Sequence, residues 1–266
     1  MRTRKPAQLL LALYGELVVD RYHEPVPAPV LLDVLDGAGI APPTTRATLN
    51  RMAHRGMLEP VRRGRGIGYG LTESGTEVLR EAAGRVNRER PFDAQGKGWT
   101  LVTFSLPEGQ RTVRHRLRAT LTWAGFAPLR DGLWVAPGEV DLTSALGPIE
   151  NELPHGTVTA FLAQELDGFE MGSSVSAAWE IDAIRAEHDG FLAEWRQPVE
   201  LKGTMPALTA RTELVADWLA LLRADPGLPP QYLDDAWPAN DSTATFRARH
   251  QEVAKDSEKE FASRLA

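Results

Sequence analysis

The sequence predicts an α+β protein with more than one domain, and three observations support this class. Apolar residues recur every three or four positions over 6–20, 110–124 and 206–224, which is the spacing of one helix face. Strand-length apolar runs occur at 99–105 and 156–162. With 266 residues, of which 42% are hydrophobic, the chain is long enough for two or three domains.

The first 72 residues show the order helix, helix, helix, strand, turn, strand. Proline or glycine punctuates each predicted helix. The predicted elements are helices at 6–20, 28–36 and 43–55 and strands at 57–61 and 69–72, with an Arg- and Gly-rich turn at 62–68. This order predicts a winged helix-turn-helix, in which the third helix enters the major groove of DNA and the hairpin, or wing, lies along the backbone.

Charge is distributed unevenly along the chain. Residues 1–92 carry 14 Lys and Arg against 10 Asp and Glu, whereas residues 93–266 carry 16 against 26. Between residues 40 and 69 Glu59 is the single acidic residue and there are six arginines. Such a block is typical of a surface for phosphate or another polyanion, but charge alone favours a solvated face without a partner. The six arginines are Arg46, Arg51, Arg55, Arg62, Arg63 and Arg65.

The helical period of the third helix indicates which side chains face outward. Thr45, Leu49 and Met52 share a core-facing stripe, so Arg46, Asn50 and Arg51 point away from it. Arg can pair with guanine and Asn with adenine, while Thr44, Thr48 and the hairpin arginines suit phosphate oxygens. The candidate DNA-binding residues are Thr44, Thr45, Arg46, Thr48, Asn50, Arg51, Arg55, Arg62, Arg63 and Arg65.

Four alternating glycines, Gly64, Gly66, Gly68 and Gly70, raise the alternative of a nucleotide-binding loop. A dinucleotide fingerprint follows a strand and opens a helix, whereas strand-like residues flank this stretch on both sides. Glycines that let a basic hairpin approach a phosphodiester backbone explain the pattern more simply. No cofactor is predicted.

The middle of the chain predicts a ferredoxin-like β-α-β-β-α-β arrangement. Its elements are expected at 99–105, 110–124, 127–129, 133–136, 139–152 and 156–162. The arrangement resembles the small CRISPR-associated endonuclease fold, where an Asp ending the first strand binds metal. Here no carboxylate precedes Glu108, and His115 has no Ser or Cys partner at a suggestive spacing. No metal site or catalytic residue is therefore predicted; a metal-dependent nuclease and a non-specific nucleic-acid-binding module remain as alternatives.

The remaining sequence predicts helices at 175–195, 206–224 and 243–265. We expect four parts: a winged helix DNA-binding domain at 1–72, a linker helix at 73–92, a ferredoxin-like middle domain at 93–170 and a helical C-terminal domain at 171–266. The chain has no cysteine, no apolar run of about 20 residues and no visible export signal. These absences predict a cytoplasmic protein with no membrane partner.

Taken together, three groups of residues resemble the PaaX family of phenylacetic acid degradation repressors. They are TRATLNRM (45–52), GML (56–58), RRGR (62–65) and YGLT (69–72); WTLVTFSL (99–106), WAGF (123–126) and AP (136–137); and LALLRADP (219–226), LP (228–229) and WP (237–238). The resemblance implies a homodimeric transcriptional repressor of a catabolic operon, released from double-stranded operator DNA by an acyl-CoA or aryl-CoA effector such as phenylacetyl-CoA. Arg46 and Arg51 fall where the family has recognition-helix arginines.

A two-fold dimer is expected to bind an inverted repeat, because it presents two recognition helices to successive major grooves. Candidate effector-binding residues lie between the predicted middle and C-terminal domains. Three arginines are candidates for CoA phosphates and two tryptophans for an aromatic acyl group: Arg114, Arg116, Arg118, Trp123 and Trp134.

Overall fold

The computed structural model describes residues 4–64, 66–168, 171–199 and 205–265. Helices and two antiparallel sheets make up this part of the chain, which confirms the α+β class. Contacts divide the chain into two units, each assembled from separate stretches. Unit 1 comprises Met1–Pro91, His188–Leu221 and Asn240–Ala266, and unit 2 comprises Phe92–Glu187 and Leu222–Ala239.

The N-terminal part of unit 1 has three helices before a β-hairpin. In chain order the elements are α1 Pro6–Leu17, β1 Val26–Pro27, α2 Ala28–Gly37, α3 Pro42–His54, β2 Leu58–Arg63, β3 Gly66–Leu71 and α4 Glu73–Val86. The strands form an antiparallel sheet in the order β1-β3-β2. Strand β1 was not predicted, because two residues, Val26 and Pro27, are too few to show an alternation.

Local sequence explains where these helices begin. Prolines stand in the first turns of α1, α2 and α3, where a missing N–H costs no helical hydrogen bond. Helix α4 begins after Thr72, whose Oγ1 accepts a hydrogen bond from the Gly75 amide at 2.9 Å. The first three helices bury leucines against one another; Leu13 of α1, Leu31 of α2 and Leu49 of α3 are each fully buried.

Unit 2 contains a four-stranded antiparallel sheet in the order β5-β6-β4-β7. Its elements are β4 Trp99–Phe104, α5 Arg111–Trp123, β5 Ala127–Arg130, β6 Leu133–Pro137, α6 Leu142–Leu146, a 3-10 helix Gly147–Glu152, β7 Val158–Ala163 and α7 Gly172–Ala178. The single helix predicted at 139–152 is wrong: it is α6 followed by the 3-10 helix. Pro148 explains the change, because its nitrogen has no hydrogen to donate.

Side chains on both faces of this sheet are buried. Along β4, Val102 packs with Leu117 and Leu121 of α5 on one face. On the other face Trp99 packs in a cluster with Val175 of α7 and with Ile184 and Leu228, which follow α7 in the chain. Alternate residues of one strand point to opposite faces, so β4 contributes to two separate hydrophobic clusters.

The remaining helices are α8 Ile181–Trp195, α9 Ala207–Ala224 and α10 Ala239–Leu265. Residues 188–221 and 240–266 belong to unit 1, so the two contact units divide the residues of the predicted helical domain at 171–266 between them. The single helix predicted at 175–195 is two helices, α7 and α8, because Trp179 adopts an extended conformation. Within the described ranges no helix has the length and apolar character that a bilayer span requires.

A buried arginine explains why C-terminal residues belong to unit 1. Arg211 of α9 donates from Nη2 to Glu16 Oε2 of α1 at 2.8 Å and from Nη1 to Ser257 Oγ of α10 at 3.1 Å. His250 Nε2 of α10 lies 2.8 Å from the same Glu16 oxygen. Burial alone raises the pKa of Glu16, but the hydrogen bond with His250 and the charge of Arg211 leave that pKa below its ordinary value.

A second buried arginine lies just before α1. Arg4 Nη2 is 2.7 Å from Asp217 Oδ2, and its Nη1 is 2.9 Å from Glu213 Oε1, both on α9. Trp195 Nε1 donates to Asp217 Oδ2 at 2.9 Å. Burial, with the nearby charge of Asp217, raises the pKa of Glu213 even though Arg4 opposes the shift. Arg4 thus lies between two carboxylates inside the unit, and Asp217 accepts hydrogen bonds from both Arg4 and Trp195.

Replacing Glu16 by Gln should destabilise the protein by about 3 kcal/mol near pH 7, since it leaves the Arg211 guanidinium buried without its nearest carboxylate. The lowered pKa of Glu16 means that its contribution is present above the ordinary value of 4.5 and is lost as pH falls through the folded-state pKa. The difference in unfolding free energy between wild type and variant, measured in urea, should therefore shrink below pH 4.5.

Glu258→Gln is the matched control. Glu258 Oε1 also faces Arg211, at 3.3 Å, but 55% of its side chain is exposed. An exposed pair contributes about 1 kcal/mol or less, so this variant should unfold almost as the wild type does. Equal losses in the two variants, or a Glu16→Gln loss that does not change with pH, contradict the buried-pair account.

Candidate nucleic-acid interface

Helix α3 presents one polar, positively charged face to solvent. Its buried residues Leu49 and Met52 recur at helical spacing, and the face away from them is formed by Arg46, Asn50 and Arg51. All three are exposed, as the sequence predicts. The helix therefore offers guanidinium and amide groups on a convex surface, which is the shape that fits a major groove.

None of the described arginines of this surface is neutralised by a carboxylate. Arg46 and Arg51 on α3, Arg55 after it and Arg62 on β2 are exposed, and among the described residues none of them forms an ion pair. Thr44, at the first turn of α3, is exposed as well. The positive charge of the face is thus available to an outside anion.

The hairpin next to α3 is built from β2 and β3. Gly64 at its turn has φ +57°, a conformation that favours glycine. The register pairs Arg62 with Ile67, which is 48% exposed, so the tip extends into solvent. Arg63 and Arg65 are also predicted DNA contacts on this hairpin. Arg65 and the side chain of Arg63 lie outside the described residues.

Hydrogen bonds hold the two central groups of the α3 face. Arg51 Nη2 donates to Thr48 Oγ1 at 3.0 Å, and that hydroxyl donates to the Thr44 carbonyl at 2.9 Å. The Tyr69 hydroxyl of β3 donates to Asn50 Oδ1 at 3.3 Å. Such bonds limit the rotamers of Arg51 and Asn50 before any ligand binds, which lowers the entropic cost of recognition.

Two tyrosines that the sequence analysis missed support this arrangement. The hydroxyl of Tyr14, fully buried in α1, donates to the backbone carbonyl of Tyr69 at 2.8 Å. Burial, and to a lesser extent Tyr69, raises the pKa of Tyr14. Each tyrosine lies in an apolar stretch, a signal for burial that gives no information about which partner the hydroxyl binds.

Two of the predicted DNA contacts are wrong. Thr45 and Thr48 are 0% and 2% exposed, because they lie on the side of α3 that packs into the unit. A helix turns 100° per residue, so residues three apart share a face, and both threonines fall beside Leu49. Neither hydroxyl can reach a phosphate in this conformation. Thr48 acts instead on Arg51, and Thr45 Oγ1 has no hydrogen-bond partner among the described residues.

The residues predicted for an acyl-CoA do not form one site. Trp134, 7% exposed, belongs to a hydrophobic core cluster of unit 2, which contradicts its assignment to a ligand pocket. Arg114 donates to the Leu106 carbonyl at 2.6 Å and Arg116 pairs with Glu152, whereas Arg118 and Trp123 are exposed. Unit 2 also contains a cavity of about 540 Å³, but none of the five predicted effector-binding residues lines it. The residues that line it include Lys97, Trp99, Glu165 and Gln231.

The interior of unit 2 holds one further polar cluster. Glu165 accepts hydrogen bonds from Trp99 Nε1 at 2.7 Å and from the Tyr232 hydroxyl and the Met171 amide. These bonds lower the pKa of Glu165 against the opposing effect of its burial. Every carboxylate oxygen is used within the fold. Over the part of the chain that the structure describes, no group of three His, Asp or Glu residues is arranged to hold a metal ion.

Family models match three consecutive stretches of the chain. They are PaaX-like protein over residues 5–75, PaaX protein central Cas2-like domain over 93–171 and PaaX-like protein C-terminal domain over 179–263. The chain belongs to the PaaX family. The resemblance drawn from the sequence is thereby confirmed, and α3 with its hairpin lies inside the first of the three PaaX matches.

Two relatives of this PaaX-family chain cover most of its length. Transcriptional repressor PaaX of Escherichia coli (strain K12) is 26% identical over 262 residues, covering 92% of this chain and 79% of that protein. The structure of Uncharacterized protein Rv0674 from Mycobacterium tuberculosis matches with a TM-score of 0.58 and 21% identity, covering 96% of this chain and 98% of that one. The second likeness shows a shared fold alone.

The buried threonines Thr45 and Thr48 should respond differently to loss of the hydroxyl group, because that of Thr45 has no hydrogen-bond partner among the described residues and that of Thr48 has two. Thr45→Val keeps the shape and removes a buried group that has no partner, so it should leave stability unchanged or raise it by about 1 kcal/mol. Thr48→Val removes a hydroxyl that donates and accepts, and should cost about 1 kcal/mol. Urea unfolding at pH 7 measures both. A larger loss for Thr45→Val than for Thr48→Val contradicts the assignment.

Proposed function

We propose that this chain is a transcriptional repressor that binds double-stranded DNA through α3 and the β2–β3 hairpin. The observation that carries the proposal is the exposed face of α3, whose arginines have no carboxylate partner among the described residues and stand beside an arginine-bearing hairpin. The name of the Escherichia coli relative supports the same function. A gene regulator of this kind works in the cytoplasm and is not an enzyme.

The element order supports a winged helix-turn-helix assignment for the N-terminal part of unit 1. Three helices precede a β-hairpin, and the short strand β1 adds to the hairpin as in winged domains. In unit 2 the strand order β5-β6-β4-β7 is 2-3-1-4 when counted within the sheet. That order, with helices after the first and third strands, supports the ferredoxin-like assignment.

The roles we propose follow from side-chain chemistry and exposure. Arg46 and Arg51 would pair with guanine and Asn50 with adenine in the major groove, since these side chains present two hydrogen-bonding groups at once. Phosphate contacts, which position the protein on the duplex, are assigned to the remaining cationic and hydroxyl groups of the surface. These are Thr44, Arg55, Arg62, Arg63 and Arg65. Thr48 takes a supporting role, because its hydroxyl accepts from Arg51.

The regulator we propose is a homodimer that binds an inverted repeat. Two-fold symmetry places two copies of α3 in major grooves one helical turn, or a multiple of it, apart. Such a dimer neutralising about 6–10 phosphates loses affinity by about 10³–10⁵-fold between 50 and 200 mM salt. The four-part domain organisation expected from the sequence is kept as part of this proposal, with the C-terminal helices shared between the two contact units.

We further propose that an acyl-CoA or aryl-CoA thioester, as the family resemblance implies, releases the repressor from DNA. A ligand weakens DNA binding when it binds the DNA-free form more tightly, and a coupling of about 1–3 kcal/mol changes affinity by about 5–150-fold. Trp123 remains the exposed aromatic candidate on α5, whereas Trp134 is excluded by its burial.

The first test selects bound duplexes from a random DNA pool and then compares variants on the selected sequence. Arg51→Ala should weaken binding by about 1–3 kcal/mol and relax the preference at one base pair, because a bidentate contact to guanine is lost. Fluorescence anisotropy at fixed salt measures the affinity. Loss spread evenly over all sequences instead identifies Arg51 as a phosphate contact.

Arg80→Ala is the matched control for this test. Arg80 is an exposed arginine of the same unit whose guanidinium is paired with Asp20 at 2.7 Å. It removes the same charge away from the α3 face, so affinity for the selected duplex should stay close to that of the wild type. Equal effects of Arg51→Ala and Arg80→Ala, or failure of the wild type to enrich any duplex, contradict the proposal.

The effector is tested by titrating the protein–DNA complex with phenylacetyl-CoA, free CoA and phenylacetate separately. Phenylacetyl-CoA should lower the affinity for the selected duplex by at least about fivefold, and the two fragments should have smaller effects, because the thioester carries both recognised groups. Calorimetry on the DNA-free protein gives the binding heat. Release by free CoA to the same extent, or no heat and no release with phenylacetyl-CoA, excludes the aryl thioester as effector.

A further inference from the structure

Helix α5 concentrates positive charge in an otherwise acidic unit. Unit 2 contains eight Lys and Arg residues against sixteen Asp and Glu, yet four of the eight lie on α5, which has no acidic residue. Like-charged pairs at i,i+4, such as Arg114 and Arg118, destabilise a helix slightly, so the arrangement has a small energetic cost. The question is which of the four arginines the fold itself uses.

Two of the four arginines have partners inside unit 2. Arg114 Nη2 donates to the Leu106 carbonyl at 2.6 Å, and Arg116 Nη1 forms an ion pair with Glu152. The other two, Arg111 and Arg118, are exposed, and within the described ranges neither side chain has a hydrogen-bond or ion-pair partner. The same is true of His115, so the fold leaves three basic side chains free.

These free side chains lie on one face of α5. Positions 111, 115 and 118 are four and three residues apart, which places them along one side of a helix, about 6 and 4.5 Å apart along its axis. We call Arg111, His115 and Arg118 the α5 stripe. The buried Leu117 and Leu121, which pack into the core, occupy a different face. The stripe is therefore a convex line of about 10 Å along the exposed side of α5.

We propose that the α5 stripe binds the phosphate backbone of duplex DNA beyond the segment that α3 contacts, so that the protein has a second DNA-binding surface in unit 2. A convex row of guanidinium groups matches a row of phosphates, which are separated by 3.4 Å of helix rise on each strand. An acyl-CoA instead requires a concave site that encloses its acyl group. The inference rests on the proposed DNA binding and extends it to a surface that carries no sequence preference.

The experiment compares short and long duplexes that share one selected sequence at their centre. The short duplex is about 20 bp, enough for two half-sites one turn apart, and the long duplex is about 50 bp. Affinities of the full-length protein are measured by anisotropy at salt concentrations between 50 and 200 mM. The stripe variant is Arg111→Gln with Arg118→Gln, chosen because Gln and Arg have similar helix propensities and both sites are exposed.

The stripe variant should change binding to the long duplex alone. Both chains of a homodimer centred on the long duplex reach a flank, so the variant loses about four phosphate contacts. The slope of log K against log salt therefore becomes shallower by about 3.6, and the loss of affinity between 50 and 200 mM becomes about 100-fold smaller. Affinity for the short duplex should equal that of the wild type. Identical thermal unfolding of variant and wild type shows that the fold is intact.

The matched control is Arg116→Gln with Arg130→Gln, which removes the same charge from unit 2 but leaves the α5 stripe in place. It should bind the long duplex with the wild-type slope. The proposal is overturned if this control lowers the slope as much as the stripe variant does. It is also overturned if the stripe variant keeps the wild-type slope on the long duplex, whether or not phenylacetyl-CoA binding is lost. If the wild type binds neither duplex, the proposed function is overturned together with this inference. If the wild type binds both duplexes with the same affinity and the same slope, only the proposed DNA contact of the α5 stripe is overturned.

Discussion

The structure of unit 1 depends on two buried arginines that join the start of the chain to its end. Arg211 of α9 forms hydrogen bonds with Glu16 of α1 and with Ser257 of α10. Arg4, two residues before α1, forms hydrogen bonds with Asp217 of α9. Removing the carboxylate of Glu16 or Asp217 leaves a buried arginine without its nearest carboxylate, which is far more costly than losing an exposed ion pair. The helices after residue 188 are therefore structural components of the unit that carries α3, not an appendage to it.

Hydrogen bonds through α1 connect these buried contacts to the exposed face of α3. Glu16 and Tyr14 lie on the same helix, the Tyr14 hydroxyl holds the Tyr69 carbonyl, and the Tyr69 hydroxyl holds Asn50 on the exposed face of α3. A displacement of α1 would thus change the support of Asn50 without touching DNA. Effector control of the proposed repressor requires two positions of some element, and α1 is the element on which C-terminal helices and recognition helix both depend.

The exposed face of α3 could be predicted because it is encoded locally. Burying Leu49 and Met52 at helical spacing leaves no other orientation for Arg46, Asn50 and Arg51, and one helical turn contains all the information required. The ion pair between Glu16 and Arg211 could not be predicted, because it joins residues 195 positions apart and a charge pattern names no partner. Thr48 was misassigned for a related reason: a hydroxyl is compatible with both core and surface, so residue type alone did not decide its position. Thr45 falls on the core-facing stripe that the helical period predicts, so its burial was predictable from the same pattern.

Local charge, rather than net charge, decides how this chain meets a polyanion. The protein carries a formal net charge of −6, which taken as a single value argues against DNA binding. At physiological salt, however, charges more than about 8 Å apart are largely screened, so a phosphate at the surface responds to the side chains immediately around it. On α3 those side chains are arginines without carboxylate partners among the described residues, while Glu16, Glu213 and Asp217 are held inside the unit near Arg4 and Arg211. An acidic protein can in this way present a cationic surface, because the stretch from residue 40 to 69 contains six arginines and a single acidic residue.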